Sequence, residues 1–106
     1  MRIRHAADFS HMRKGRRIQA DSIRCVFIPN TLGHARLGLA VSRKYGSAVQ
    51  RNRFKRQIRN TFRQHPIRGA GIDVLVVPLA PATGMAEPVA VVQGLFTRLM
   101  QGLARP

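Results

Sequence analysis

The chain has 106 residues, 44% of them hydrophobic, with 19 Lys plus Arg against 4 Asp plus Glu and a net charge of +15. That length fits one small domain, residues 1–106, with one modest core, and the apolar content argues against a disordered chain. Solubility needs only about 2–8 net charges on a small domain, so the excess argues for a polyanionic partner, nucleic acid before an anionic membrane.

In chain order, residues 1–7 read as a basic arm. Asp8 can cap a short helix through Met12, which shares a face with Phe9, and Gly15 stops it. Residues 16–20 form a short strand. Ile23 to Ile28 is β-branched and aromatic, a strand stopped by Pro29-Asn30. Cys25 is the only cysteine. It alternates with Ile23 and Phe27 as a core residue, leaves no disulfide framework, and suits a reducing cytoplasm. Residues 31–34 are a turn. Leu37, Leu39 and Val41 alternate with smaller residues as a half-buried strand. Gly46-Ser47 opens a helix over 48–64 that Pro66 ends. Gly69-Ala70-Gly71 is a loop, Asp73 to Pro78 an apolar strand, and Pro81 to Gly84 a loop. A last helix runs from Glu87 to Leu103, with Val92, Leu95, Phe96, Leu99 and Leu103 on one side. The order α-β-β-β-α-β-α predicts an α+β domain with a four-stranded sheet and packed helices. No export signal is expected, because the N-terminus lacks an apolar core and polar residues follow Arg16-Arg17. No apolar run approaches the ~20 residues of a membrane span.

Helix 48–64 carries the chemistry. At about 100° per residue, Phe54, Ile58 and Phe62 fall within about 80° and form its buried stripe. Asn52, Arg53, Lys55, Arg56, Arg59 and Arg63 spread over the other side. Arg51, Lys55, Arg59 and Arg63 form an i, i+4 ladder of like charges, each pair costing a few tenths of a kcal/mol on a free helix. No acid stands between Asp21 and Asp73. A partner phosphate backbone explains that repulsion better than a solvated face or a membrane-surface helix, which would want a broader apolar side. Arg outnumbers Lys, which appears only at Lys14, Lys44 and Lys55. Arg grips phosphate bidentately and stacks on bases, although a GC-rich coding bias also raises Arg.

A nuclease acting alone is a poor fit. Metal-assisted cleavage needs clustered carboxylates, and Asp8, Asp21, Asp73 and Glu87 are scattered. His5, His11, His34 and His65 show no ligand-like or paired spacing. No catalytic or metal-ligating residue is assigned.

The segment Gly46-Ser47-Ala48-Val49-x-Arg51-Asn52-Arg53-x-Lys55-Arg56-x-Ile58-Arg59-x-x-Phe62-Arg63 resembles the motif of the bacterial ribonuclease P protein component. The approach strand Arg36 to Lys44, the strand Asp73 to Val77 and Asp8-Phe9 before a glycine are also similar, so the resemblance covers about residues 8–100. It implies a fold like the second domain of ribosomal protein S5, with a left-handed βαβ crossover where the general rule gives right-handed. It implies a catalytic RNA that removes the 5′ leader of precursor tRNA, using Mg²⁺ held mainly by RNA, in one-to-one association with the protein. Arg51, Asn52, Arg53, Lys55, Arg56, Arg59 and Arg63, with Arg43 and Lys44 of the adjoining loop, would dock on structured RNA. A cleft between the first helix and the sheet would receive the single-stranded leader. Phe9 matches an aromatic of that cleft, where stacking on an unpaired base is worth about 1–3 kcal/mol, or packs the first helix down. Arg13 stands where a second aromatic is common. Val26 takes a position that often carries tyrosine, with Arg24 two residues earlier, so leader binding is expected to be more electrostatic. Phe27 should point to the opposite face. The alternative is a small ribosomal RNA-binding protein with no enzymatic role. A sequence-specific DNA regulator is disfavoured by the lack of helix-turn-helix spacing.

Overall fold

The structure, a computed structural model, describes residues 15–85 and 87–104. The basic arm and first helix expected from the sequence lie outside the described residues. Four strands follow: β1 (Arg16–Ala20), β2 (Ile23–Pro29), β3 (Arg36–Leu39) and β4 (Ile72–Pro78). Helix α1 (Ala48–Gln64) joins β3 to β4, and α2 (Pro88–Ala104) closes the described chain. The sheet order is β1-β2-β4-β3, antiparallel except for the parallel β3–β4 pair. This is the α+β arrangement expected from the element order.

β1 and β2 meet through a two-residue turn, Asp21-Ser22, which sets Ala20 opposite Ile23. Asp21 takes φ 50° there, a conformation that Asp tolerates better than most L-residues. Leu79 N–H donates to Ser22 O at 2.7 Å and ties the end of β4 to this turn.

Alternation along the strands splits the sheet into two faces. Ile23, Cys25, Leu37, Ile72, Val74 and Val76 face the helices and are buried. They meet Phe54, Ile58 and Phe62 of α1 and Val92, Leu95, Phe96 and Leu99 of α2 in one core. Burying such a side chain contributes roughly 1.5–3 kcal/mol. Phe62 meets Phe96 edge-on at 6.1 Å, joining the two helices, and Tyr45 packs on Phe54 at 5.0 Å. Phe27 stands opposite Val74 and packs against this core, as expected. Burial pushes the Cys25 thiol up to about 12, so it stays protonated and unreactive.

The third strand is shorter than its alternation predicts. It ends at Leu39, although Ala40 N–H still donates to Val76 O at 3.1 Å. Val41 keeps its place against the core, but the chain already turns there toward a 3₁₀ turn at Arg43–Tyr45. The last helix starts at Pro88, one residue later than expected, because proline suits the first helical position.

A buried carboxylate fixes the β3–β4 pair. Asp73 is 2% exposed and lies in register with Arg36. Arg36 donates through Nε at 2.8 Å and Nη2 at 2.6 Å to its two oxygens, and Asn30 Nδ2 adds a bond at 2.9 Å. Asn30 also donates to His34 O and accepts from Leu32 N–H, so one side chain shapes the turn before β3. Arg36→Met removes the guanidinium and leaves the carboxylate buried. Loss of one partner of a buried pair costs about 3–5 kcal/mol, which urea denaturation should read as a lower midpoint. Asp73→Asn should cost less, because it removes the charge and keeps an acceptor.

His65 closes α1. Its Nδ1 accepts Ile67 N–H at 3.0 Å, so Nε2 carries the proton and donates to Thr97 Oγ1 at 3.2 Å. Thr97 in turn donates to Gln93 O. Burial lowers the His65 pKa below its ordinary 6.5. The unfolded chain therefore takes up this proton first. The stability contribution is complete above about pH 6.5 and is lost as pH falls through the folded value. Thermal melts between pH 7.5 and 5 should show this slope. His65→Asn, whose oxygen can still accept from Ile67, should flatten it, and equal slopes in both proteins would remove His65 as its source.

Candidate nucleic-acid interface

The start of α1 is built by a reciprocal cap. Ser47 Oγ accepts Gln50 N–H at 3.2 Å, and Gln50 Oε1 accepts Ser47 N–H at 2.8 Å. Gly46 makes room for it, since a Cβ there would fall within 2.1 Å of Gln50 Oε1. The cap aims the helix off the 3₁₀ turn that carries exposed Arg43 and Lys44.

Along α1, Phe54, Ile58, Thr61 and Phe62 are buried. Asn52, Arg53, Arg56, Asn60 and Arg63 are exposed and form a crown. Arg51, Lys55 and Arg59 are half-buried and form a shoulder beside the apolar stripe. The helix wheel accounts for Arg51, which falls on the inward side at about 100° per residue. Its Nη1 turns back to Gly46 O at 3.0 Å. Arg51 thus braces the turn between Arg43–Tyr45 and α1, while its neighbours Asn52 and Arg53 reach solvent. Arg59 Nε is buried with no hydrogen-bond partner among the described residues. The nine residues expected at the interface therefore lie on one helix and the turn before it.

Among the described residues no acid competes for this surface. Asp73 is spent on Arg36 and Asn30. Asp21 and Glu87 line a separate groove between the β1–β2 turn and the start of α2. Among the described residues no three His, Cys, Asp or Glu side chains cluster as a metal site. No described helix is long and apolar enough to cross a membrane.

The residues expected in the second site are only partly described, because Phe9 and Arg13 lie outside the described residues. Arg24 and Val26 share the sheet face opposite the helices. Arg24 is half-buried and Val26 is 7% exposed. The register adds two residues that the strand pattern alone does not place. Arg17 pairs with Val26 and Gln19 with Arg24, and directly opposed residues share a face. Both are exposed. The available signal was the two-residue spacing between strands, which reads as a tight hairpin and fixes the pairing.

Comparison with known proteins agrees with this arrangement. A sequence model of the ribonuclease P family, described as Ribonuclease P, matches residues 1–101. A ribonuclease P protein component from Staphylococcus aureus strain Mu3 is 37% identical over 86 residues, 79% of this chain and 75% of that protein. The solved RNase P protein from Thermotoga maritima superposes with a TM-score of 0.78 at 28% identity, covering 92% of this chain and 96% of that one. The Staphylococcus aureus RNase P protein solved at 2.0 Å gives a TM-score of 0.76 at 30% identity, covering 97% and 94%. With the motif on an exposed basic helix, and with the sequence and the fold both matching over nearly the whole chain, this protein belongs to the bacterial ribonuclease P protein component family.

Proposed function

We propose that this chain is the RNA-anchoring subunit of ribonuclease P, in which a catalytic RNA removes the 5′ leader of precursor tRNA and the protein holds both RNAs. The observation that carries this reading is the α1 surface, where exposed Arg53, Arg56 and Arg63 stand on a helix with no acid in its sequence. Such a surface neutralises phosphates, and its Asn and Arg side chains can also reach base edges.

The acids among the described residues argue against chemistry on the protein. Asp73 is buried in an ion pair, and Asp21 and Glu87 stand apart from the basic helix. These donors do not fit a Mg²⁺ site that acts on RNA bound along α1, so no step is assigned to a metal on this chain. Mg²⁺ belongs to the RNA in this reading. The protein's part is to bind, orient and screen charge between two polyanions, in one-to-one complex with the catalytic RNA, in the cytoplasm. The sheet face carrying Arg17, Arg24 and Val26, together with Phe9 and Arg13, is the proposed seat of the leader.

Reconstitution tests this directly. Protein added to a bacterial ribonuclease P RNA at low Mg²⁺ should restore leader removal, and protein freed of RNA should not cleave. Cleavage by RNA-free protein that survives repurification would overturn the reading. Affinity for the catalytic RNA should fall linearly with salt on logarithmic axes. Arg53→Ala and Arg56→Ala should each flatten that slope by about 0.7–0.9 and leave the melting temperature unchanged, since both side chains are exposed.

The leader seat is read by comparing tRNA forms on the assembled holoenzyme. Phe9→Ala should weaken binding of leader-bearing tRNA, by about 1–3 kcal/mol for a lost stack, and leave mature tRNA unaffected. Equal losses for both forms, with a lowered melting temperature, would assign Phe9 to the core instead.

A further inference from the structure

A second feature adjoins the basic helix. A groove of about 280 Å³ lies between α1 and the segment leading into α2, lined by residues that include Tyr45, Gln50, Arg53, Gln57, Thr83 and Met85. Its apolar lining comes chiefly from Met85 and Pro88, and the Tyr45 ring is braced against the buried Phe54. Its polar lining is largely unspent. The Tyr45 hydroxyl, the Gln57 amide, the Arg53 guanidinium and the Thr83 hydroxyl make no hydrogen bond among the described residues, and Gln50 uses only its oxygen, in the helix cap. An apolar pocket with a few placed polar groups is the usual form of a small-ligand site.

Charge narrows the occupant. Arg53 belongs to the cationic crown and lines one side of the groove. On the far side of Met85, which lines both grooves, lies the groove that holds Asp21 and Glu87. A ligand seated here meets the Arg53 guanidinium at the end nearest the basic helix. A nucleotide matches that lining, with its phosphate toward Arg53 and its base, neutral and carrying both donors and acceptors on its edge, toward the Gln57 amide and the Tyr45 hydroxyl. A glutamine amide offers one donor and one acceptor, which is what bidentate reading of a base edge requires. Sequence-specific RNA recognition favours unpaired bases of this kind.

We propose that this groove takes one unpaired nucleotide of the catalytic RNA, with its base held by Gln57 and Tyr45 and its phosphate on Arg53. The inference rests on the reading that α1 docks on that RNA. It adds a base-reading contact to a surface otherwise built for phosphates.

The test is chemical footprinting of base edges and backbone on both RNAs of an assembled complex, a bacterial ribonuclease P RNA transcript with bound precursor tRNA, with wild-type protein, Gln57→Leu and Tyr45→Phe. Leucine suits a helix and adds no charge, and Tyr45→Phe removes only an oxygen. Wild type should protect the Watson–Crick edge of one unpaired nucleotide. Gln57→Leu should expose that edge, weaken binding about tenfold and leave both the salt slope and the backbone footprint unchanged. Tyr45→Phe should expose the same edge in part. Wild-type affinity and an intact base footprint in Gln57→Leu would overturn the groove proposal, while the backbone footprint would still support docking of α1. Loss of the backbone footprint with wild-type protein would instead overturn the docking reading. A base released by Gln57→Leu in the precursor tRNA rather than in the catalytic RNA would overturn the assignment of the occupant.

Discussion

Everything at the interface depends on three side chains. Phe54, Ile58 and Phe62 hold α1 to the sheet, and each is no more than 7% exposed. The rest of the helix is cationic or polar. Its charges repel one another along the ladder, and no acid within the helix relieves them. A helix of this kind has little reason to form alone, because most helical stability in proteins comes from packing an amphipathic face. Its apolar stripe and its cap, Ser47 with Gln50, therefore supply the order that the charges oppose. The fold spends its small core on presenting a surface that a partner must neutralise.

The two ends of α1 are secured by different means. At the start, Gly46 leaves space for Gln50 to cap, and Arg51 reaches back to Gly46 O. At the end, His65 bonds both the following turn and Thr97 of α2, and its ring meets Phe96 at 5.5 Å. The crown of Arg53, Arg56 and Arg63 sits between these two fixed points. Rigid presentation matters, since phosphate contacts set the register of a protein on its nucleic acid and base contacts then specify.

The Arg36–Asp73 pair has a different role. It joins the parallel strands on either side of α1 and removes the one carboxylate that the sequence places just beyond the basic segment. A burial cost is offset by bidentate geometry and by Asn30. The result is a sheet edge held in register and a helix surface whose cations face no competing anion from β4.

Much of this was legible in the sequence, and the reasons are local. The 48–64 helix was fixed by a 3.6-residue apolar period, a cap at Ser47 and a stop at Pro66, all of which act within a turn or two. The strands followed from alternation and the breakers between them, and the nucleic-acid class followed from net charge and an acid-free stretch. Tertiary structure decided what depends on distant residues meeting. Asp73 looked like a strand start until Arg36 and Asn30 closed on it from 37 and 43 residues away. Arg17 joined the face of Arg24 only through strand register. The groove beside α1 gathers Tyr45, Gln57 and Thr83 from three separate segments. Periodicity and charge are properties of neighbours along the chain, whereas pairing, register and cavities exist only once the chain has closed on itself.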